Sequence, residues 1–284
     1  MTWRELHRLA QADLGAPEAW FVLERASGDD RARLVSRLDE TAPPRTVPFV
    51  ARMVARRKAG EPLQYVLGVW GFRRLDLVVD RRVLIPRPET ETVVEVALGE
   101  LAGLRAPRPG RHPLAVDLGT GSGAIALSIA LEAPDARVWA TDRSVDAVAV
   151  ARANLAGMGG RVAPRVRLVE GDWFDALPPE LRGQVDLIVA NPPYIGAGED
   201  LPAEVAEWEP AGALIAGPTG LEHVGVILAG APEWLRRPGA IVIEVAPHQA
   251  DAAVELARAA GFDDVEVRPD LNGRPRALVG RAWS

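Results

Sequence analysis

The most informative stretch of the chain is Leu114-Ala-Val-Asp-Leu-Gly-Thr-Gly-Ser-Gly123, a short apolar run followed by a turn in which every second residue is glycine. The run Leu114–Leu118 has the length and composition of a buried strand. The apolar segment after the turn reaches Ala133 and is long enough for a helix. Glycines at such a turn let backbone N–H groups approach a ligand at the helix amino terminus. The stretch therefore predicts a β-strand, a ligand-binding loop and an α-helix.

Strands and helices continue to alternate after this loop. The predicted strands are Arg137–Thr141, Arg165–Val169, Val185–Ala190 and Ala240–Val245, and the predicted helices are Ser144–Ala156, Leu221–Leu235 and Gln249–Ala260. A final pair, Val265–Arg268 and Arg276–Gly280, flanks Asn272-Gly273 and predicts an antiparallel hairpin. The pattern predicts an α/β fold with a mostly parallel sheet covered by helices on both faces. Ligands of such sheets bind at the carboxyl ends of the strands.

The chain before this region changes character twice, which predicts two domains and a linker between them. They are a helical amino-terminal domain of residues 1–68, a β-hairpin linker of residues 69–88 and the α/β domain of residues 89–284. In the linker, Asp80-Arg-Arg82 is the expected turn between two short strands, the second of which ends at Ile85. The α/β domain is expected to begin with a helix from Glu89 to about Leu104, followed by a loop from Pro107 to Pro113.

The composition excludes several kinds of site. The chain has 284 residues, a net charge of −6 and no cysteine, so disulfides, cysteine-ligated zinc and thiol nucleophiles are impossible. Its histidines do not stand at metal-ligand spacing, and its only lysine, Lys58, excludes a phosphate-loop lysine motif. The first residues lack the apolar core of a signal peptide, and no apolar stretch is long enough to cross a bilayer. We expect a cytoplasmic monomer that binds no metal.

Acidic residues stand at the ends of three successive predicted strands. Asp117 precedes the loop, Asp142 ends the next strand, and Asp172 with Trp173 follows the third. The Gly-x-Gly-x-Gly spacing differs from that of dinucleotide sites, and the neighbouring carboxylate would repel a pyrophosphate. The carboxylate suits the ammonium group of S-adenosylmethionine, Asp142 could accept both ribose hydroxyls, and Asp172 with Trp173 could hold the adenine. The predicted cofactor loop consists of Gly119, Thr120, Gly121, Ser122 and Gly123.

The tetrapeptide Asn191-Pro-Pro-Tyr194 directly follows the predicted strand Val185–Ala190. Proline fixes φ and pushes the residue before it toward an extended conformation, so the turn is stiff. The side-chain oxygen of Asn191 and the carbonyl oxygen of Pro192 can then accept the two hydrogens of one –NH₂ group on a planar substrate. This favours a tetrahedral nitrogen with its lone pair free to attack a methyl group, while Tyr194 packs on the planar group. Pro193 completes the predicted substrate site, and Asn191 is also expected to contact the cofactor.

Simpler explanations exist for each feature taken alone. A glycine-rich turn can be only a tight connection between strand and helix, and an aromatic residue after a strand, such as Trp173, is often part of the core. The tetrapeptide can be a rigid turn in which Asn191 bonds to its own backbone. The combination of all these features at neighbouring strand ends favours a functional site.

The segments Asp117–Gly123 and Asn191–Tyr194 resemble motifs of class I methyltransferases that act on exocyclic or amide nitrogen. Further segments narrow the resemblance to the protein-(glutamine-N5) methyltransferase family, the release factor enzymes called PrmC or HemK. They are Gly60-Glu-Pro-Leu-Gln-Tyr-Val-Leu-Gly68, Leu84-Ile-Pro-Arg-Pro-Glu-Thr-Glu91, Gly171-Asp-Trp173 and Glu209-Pro210. The resemblance covers nearly the whole chain.

The resemblance implies a Rossmann-like catalytic domain, S-adenosylmethionine as cofactor, and the glutamine of the Gly-Gly-Gln motif of class I peptide chain release factors as substrate. It assigns the cofactor loop to Gly119–Gly123, the ribose acid to Asp142, the adenine-side aromatic to Trp173 and the glutamine clamp to Asn191–Tyr194. The Arg87-Pro-Glu-Thr90 segment is expected to line the cofactor side. The chain departs from the family pattern at Glu244-Val-Ala246, where Glu-x-Gly is expected, and at Arg143 and Val148, all expected to be peripheral.

Three other functions remain open at this point. The enzyme could methylate a glutamine of a ribosomal protein, or the amino group of adenine in DNA or RNA, which presents the same two hydrogens. A nucleic-acid enzyme needs clustered cations for phosphates, and the predicted catalytic domain has no insertion rich in Lys and Arg. The third is a non-catalytic scaffold that contacts the ribosome, against which the intact motifs argue.

The charge divides unequally along the chain. Residues 1–88 contain 16 Lys and Arg against 11 Asp and Glu, a net charge of +5, whereas residues 89–284 contain 17 against 28, a net charge of −11. The acidic part suits a cationic sulfonium cofactor and disfavours a polyanionic substrate, so no direct nucleic-acid binding is expected. The basic run Arg56-Arg-Lys58 is a candidate docking surface for an acidic protein partner, or simply a solvated helix end.

Overall fold

The structure is a computed structural model that describes residues 1–105 and 112–283. The helices are α1 Trp3–Leu14, α2 Ala16–Ser27, α3 Arg31–Ser36, α4 Thr46–Lys58, α5 Leu63–Leu67, α6 Pro88–Arg105, α7 Ala124–Glu132, α8 Val145–Gly157, α9 Ala203–Trp208, α10 Glu222–Trp234 and α11 Ala250–Ala259. The strands are β1 Val69–Phe72, β2 Leu75–Val78, β3 Leu114–Leu118, β4 Arg137–Asp142, β5 Val166–Glu170, β6 Val185–Ala190, β7 Ile195–Gly196, β8 Ile215–Gly217, β9 Leu235–Glu244, β10 Asp264–Pro269 and β11 Pro275–Ala282. Across the two described ranges, no helix is both long and apolar enough to span a membrane. The predicted loop Pro107–Pro113 lies mostly outside the described residues.

A seven-stranded sheet carries the glycine-rich loop. Its order is β10-β11-β9-β6-β3-β4-β5, in which β5, β4, β3, β6 and β9 are parallel and the β10–β11 hairpin is antiparallel. The chain runs from β3 to β4 and β5 on one side, then crosses to β6 and β9 on the other. Ligands of open α/β sheets bind outside the carboxyl ends of the strands at such a switch point. The predicted Rossmann-like fold with a terminal antiparallel hairpin is confirmed.

The central strands are buried on both faces, which explains why they look like continuous apolar runs. All six residues of β6 are buried, and so is α7 from Ala124 to Ala130. A strand covered by helices on both faces has no solvent side, so the alternation of apolar and polar residues disappears. Ile227 and Leu228 of α10 are fully buried in one apolar cluster with Ile188 and Ile241 of the sheet. Each such side chain contributes about 1.5–3 kcal/mol by burial.

The chain divides into two compact units. The first comprises Met1–Trp70 with Pro202–Trp208, and the second comprises Gly71–Leu201 with Glu209–Ser284. The first unit contains α1 to α5 and α9, and its core includes Leu6, Leu23 and Met53, each at most 2% exposed. The second unit contains the seven-stranded sheet and the glycine-rich loop.

The basic run at the end of α4 is paired inside the first unit. Each of its cations has a carboxylate oxygen within 2.8 Å: Arg56 pairs with Glu61, Arg57 with Glu18 and Lys58 with Asp13. Arg57 also binds Glu204 of α9 at 3.1 Å. The charges are therefore paired locally, but the side chains of Arg56 and Lys58 are 47% and 54% exposed, and the docking role of this run stays a prediction.

The linker hairpin turns earlier than predicted. Its two strands, β1 and β2, are joined at Arg73-Arg74, whereas Asp80-Arg-Arg82, Val83 and Ile85 lie outside strands. The predicted turn is wrong because Val83 and Ile85, at 1% and 3% exposed, are buried by packing and not by pairing in a second strand. Apolar residues at positions 83 and 85 alternate as they would in a β-strand, although no strand forms there.

Arg73 explains why the chain reverses where it does. Its φ is 50°, a left-handed conformation that few residues with a side chain adopt. The backbone N–H donates to Glu91 Oε1 at 2.9 Å, and the guanidinium binds Glu132 at 2.7 Å and Glu95 at 2.8 Å. These partners lie on α6 and α7, so the turn position depends on tertiary contacts.

Candidate active site

A cavity of about 250 Å³ opens at the carboxyl ends of β3, β4, β5 and β6. This is the switch point of the sheet, where ligands of this architecture bind. The predicted site residues that line it are Gly119, Thr120, Gly121, Ser122, Asp142, Asp172, Trp173, Asn191 and Pro193. The other predicted residues lie within two positions of these in the chain without lining the cavity; they are Asp117, Gly123, Pro192 and Tyr194. The sheet thus brings residues from four separate segments to one place.

The glycine-rich loop is shaped by backbone conformations that favour glycine. The φ angles of Gly119 and Gly121 are 76° and 54°, which glycine adopts without steric cost. A Cβ on Gly119 would lie 3.2 Å from the ring of Trp173. The N–H of Gly121 donates to Asp142 Oδ2 at 2.8 Å, which ties the loop to the end of β4. The loop backbone is therefore fixed beside the aromatic ring and the second acid.

Asp117 is fully buried and holds the loop to the start of α7. Its Oδ2 accepts hydrogen bonds from Thr120 Oγ1 at 2.6 Å and from the N–H of Ala126 at 3.1 Å. Burial raises the pKa of this carboxyl group to about 7. Within the described part of the chain its Oδ1 has no hydrogen-bond partner, so it has an acceptor to spare for a donor such as an ammonium group. Contact with that group stays a prediction.

Asp142 faces the cavity with both carboxylate oxygens already oriented. Oδ1 accepts from the N–H of Ser144 at 2.9 Å, and Oδ2 accepts from the N–H of Gly121. Burial raises the pKa of Asp142, and the two backbone hydrogen bonds act in the opposite direction. Each carboxylate oxygen keeps a lone pair for a further donor. This arrangement fits two neighbouring hydroxyl groups of a ribose.

Trp173 lines the cavity and also packs against the apolar core of the sheet. Its φ is 41°, and its carbonyl oxygen accepts from Thr141 Oγ1 at 3.1 Å. The ring of His223 on α10 lies 5.3 Å from the ring of Trp173, centroid to centroid. Trp173 therefore belongs to the core and also lines the cavity, and its contact with an adenine stays a prediction. No sequence signal pointed to His223.

Asn191 has its carboxamide held from one side only. Nδ2 donates to Thr90 Oγ1 at 3.2 Å, whereas Oδ1 is buried and has no partner among the described residues. A buried acceptor left without a partner costs about 1–3 kcal/mol. The N–H of a bound ligand would satisfy it. Pro192 and Pro193 are both buried and keep the turn stiff.

Tyr194 is anchored through its backbone. Its carbonyl oxygen accepts from Gln249 Nε2 at 2.8 Å. Gly220 approaches so closely that a Cβ there would lie 2.4 Å from the same oxygen. Burial raises the pKa of the Tyr194 phenol to about 12, so the group is neutral near pH 7. Packing of the ring on a ligand stays a prediction, and the neutral hydroxyl is a poor base.

Two family models and several curated proteins match this chain. The PrmC N-terminal domain matches residues 6–68, and the Methyltransferase small domain matches residues 105–207. The release factor glutamine methyltransferase of Burkholderia pseudomallei is 42% identical over 276 residues, which cover 96% of this chain and 94% of that protein. The one from Bordetella pertussis is 44% identical over 275 residues, which cover 95% and 96%. The chain belongs to the release factor glutamine methyltransferase family.

As a member of this family, the chain is an enzyme that uses S-adenosylmethionine as its methyl donor. The predicted enzyme class and cofactor are confirmed. A crystal structure of a methyltransferase from Pyrococcus furiosus aligns with 82% of this chain and 100% of that chain, with a TM-score of 0.53 and 17% identity. At that identity the likeness concerns the fold alone.

Two segments that marked the family in the sequence touch each other in the structure. Glu209, 6% exposed, accepts from the N–H of Ile85 at 3.0 Å through Oε2 and binds the Arg87 guanidinium through Oε1. Arg87 and Thr90 both line the cavity, as expected for their segment. Glu209 therefore holds the Arg87 segment in place. More than 120 residues separate the two in the chain, so no sequence pattern indicates this contact.

The departures from the release factor glutamine methyltransferase pattern are less peripheral than expected. Arg143 lines the cavity and donates to the carbonyl oxygen of Gly212 at 3.2 Å. Glu244 is 1% exposed and accepts from Thr90 Oγ1 at 2.7 Å, so it reaches the site through one side chain. Val148 is fully buried in α8 and belongs to the core.

Proposed function

We propose that this enzyme transfers the methyl group of S-adenosylmethionine to the side-chain amide nitrogen of the glutamine in the Gly-Gly-Gln motif of class I peptide chain release factors. Relatives more than 40% identical over nearly the full chain carry the name release factor glutamine methyltransferase. The observation that carries the proposal is the buried, unpartnered Oδ1 of Asn191 on the cavity. Such an acceptor supports the proposal because the N–H of an amide substrate would satisfy it.

The residues of the cavity are chemically suited to S-adenosylmethionine. When bound, the cofactor supplies an electrophilic methyl group on a sulfonium sulfur. Asp142 would accept from the ribose hydroxyls, Asp172 and Trp173 would hold the adenine, and Asp117 with the loop Gly119–Gly123 would hold the amino-acid end. Both orphaned acceptors, Asp117 Oδ1 and Asn191 Oδ1, fit ligands that bring N–H donors.

The chain's own residues would act on the substrate by orientation. Asn191 Oδ1 and the carbonyl oxygen of Pro192 accept the two amide N–H groups and turn the nitrogen lone pair toward the methyl group. Tyr194 packs on the planar amide, with Pro193 beside it. The Tyr194 phenol has a pKa of about 12 and does not take the proton. Water accepts it after transfer, so no general base is required.

Radiolabelled S-adenosylmethionine tests the proposed substrate directly. Purified enzyme is incubated in parallel with a class I release factor, a ribosomal-protein mixture and DNA. We expect label on the release factor, and mass spectrometry to locate one methyl group on the Gly-Gly-Gln glutamine. A release factor with Gly-Gly-Ala is the matched control and should stay unlabelled. Label confined to DNA or to a ribosomal protein would overturn the proposal, and label nowhere would favour a scaffold.

We further propose a cytoplasmic monomer that does not bind nucleic acid directly, organised as the domains 1–68, 69–88 and 89–284. The net charge of −11 over residues 89–284 supports the second part, because a polyanion would be repelled. The amino-terminal boundary is supported by the family model that ends at residue 68. Light scattering of the purified enzyme with and without RNA checks both the mass and the absence of a complex.

A further inference from the structure

We propose that Thr90 and Glu244 are positioning residues that decide which way the Asn191 carboxamide faces. Asn191 Nδ2 donates to Thr90 Oγ1 at 3.2 Å, and Thr90 Oγ1 donates to Glu244 Oε2 at 2.7 Å. Thr90 and Glu244 are 4% and 1% exposed, so bulk solvent has little access to these bonds. The inference rests on the proposed role of Asn191 as the clamp of the substrate amide.

We call the two hydrogen bonds, from Asn191 to Thr90 and from Thr90 to Glu244, the relay. Their direction follows from the hydrogens that each group can donate. An ionised carboxylate can only accept, and a threonine hydroxyl has a single hydrogen to give. When Glu244 is ionised it takes that hydrogen, so the Thr90 oxygen can only accept from Asn191. The carboxamide must then turn Nδ2 toward Thr90 and leave Oδ1 free. The two hydrogen bonds thus decide which of Asn191 Oδ1 and Nδ2 faces Thr90, a choice that the local geometry of the amide group alone leaves open.

Protonation of Glu244 reverses the relay. A carboxylic acid can donate to Thr90, which frees the threonine hydrogen for Asn191. The carboxamide would then turn Oδ1 toward Thr90 and present Nδ2 to the substrate. Two N–H donors would face each other, and the amide nitrogen of the substrate would lose one of its two acceptors. The ionised form is therefore the active one.

The surroundings of Glu244 make this change possible near neutral pH. Burial raises the pKa of Glu244 to about 7. The hydrogen bond from Thr90 and the attraction of Arg276, whose Nη1 lies 4.0 Å from Glu244 Oε1, act in the opposite direction. Arg87 also stabilises the charge, and Glu89 opposes it. Tyr194, another titratable neighbour, stays neutral in this range. Activity is expected to rise as pH increases through 7.

Substitutions of Thr90 test the relay. Thr90→Val removes the hydroxyl at nearly constant shape, and Thr90→Ser keeps it. We expect Thr90→Val to lower kcat by about 10²-fold, the effect of losing one preorganised polar contact, with little change in the Kd for S-adenosylmethionine measured by calorimetry. Thr90→Ser should recover most of the rate. Thr46→Val, a buried threonine of the first unit, is the matched control. Full activity of Thr90→Val would overturn the proposal.

The pH profile tests Glu244 separately. Glu244→Gln keeps the size of the side chain but has no titration near pH 7. The wild-type rate should show an inflection near pH 7 that is smaller in Glu244→Gln and in Thr90→Val, because Asp117, whose pKa is also about 7, remains in both variants. An inflection of unchanged size in Glu244→Gln would show that another group causes it and would contradict the relay.

A double substitution separates the relay from the clamp itself. Asn191→Ala should abolish transfer while the cofactor still binds, and adding Thr90→Val to it should change nothing further, because Thr90 acts through Asn191. If Asn191→Ala kept its turnover, the proposed clamp would fail. If Asn191→Ala lost turnover while Thr90→Val kept it, the clamp would stand and the relay alone would fail.

Discussion

At the scale of single residues, the site is defined by backbone positions as much as by functional groups. Tyr194 owes its place to Gln249, which donates to its carbonyl oxygen, and to Gly220, which leaves room for it. Gly220 also has a φ of 78°, where a side chain is strained. The sequence indicated Tyr194, but neither of the residues that hold it has a pattern of its own.

Gly220→Ala is expected to damage both stability and activity. A Cβ would lie 2.4 Å from the Tyr194 carbonyl oxygen and from Gln249 Nε2, so the turn must shift. We expect a loss of about 1–3 kcal/mol in the free energy of unfolding and a raised KM for the release factor. Urea denaturation and methyl transfer measure the two effects. Gly225→Ala, on α10 with open space for a Cβ, is the matched control and should be neutral or stabilising. Equal stability of the two variants would contradict the argument.

At the scale of elements, the strands were easier to place than the hairpin. β3 and β6 have the predicted bounds, because apolar runs between turn residues identify a buried strand. The linker was misplaced because Val83 and Ile85 alternate like a strand but are buried by packing. The actual turn is fixed by Arg73, whose partners lie on α6 and α7. Local sequence does not report such partners.

Arg73→Ala is expected to loosen the linker. It removes charged hydrogen bonds to Glu132 and Glu95, and the Arg73 and Glu132 side chains are only 14% and 15% exposed. We expect a loss of about 1–3 kcal/mol in the free energy of unfolding, measured with urea, and faster amide hydrogen exchange in β1 and β2. The exposed Arg81 is the matched control, and Arg81→Ala should leave both quantities unchanged. An Arg73→Ala protein with wild-type exchange would refute the role of Arg73.

At the scale of the whole molecule, two fully buried carboxyl groups, Asp117 and Glu244, link stability to pH. Burial raises the pKa of each to about 7. Their native-state pKa lies above the ordinary value, so the folded chain binds more protons than the unfolded chain between about pH 4 and 7. Their contribution to stability is therefore present at low pH and is lost as pH rises through 7. When Glu244 is ionised, as the relay requires, the folded chain is less stable than when Glu244 is protonated.

A comparison of wild type with Glu244→Gln isolates this contribution. The difference in unfolding free energy should fall as pH rises from about 4.5 to 7, with a steepest slope on the order of 1.4 kcal/mol per pH unit, and be flat above that. Urea titrations at several pH values provide the measurement. Glu180→Gln, an exposed surface change, should follow wild type throughout. A difference that grew with pH would mean that Glu244 is ionised in the folded state at lower pH than its burial suggests.

The amino-acid sequence alone determined the alternation of strands and helices, the glycine-rich loop, the acids at the strand ends and the Asn-Pro-Pro-Tyr turn. These depend on periodicity and on short-range stereochemistry, which a single sequence displays. Only the tertiary structure decided the linker turn, the local pairing of the basic run, the hydrogen bonds of Glu209 to the Arg87 segment, and the relay that joins Asn191, Thr90 and Glu244. The two hydrogen bonds of the relay join residues that are 101 and 154 positions apart in the chain. The sheet brings such residues together, and contacts over that distance leave no periodic trace in the chain.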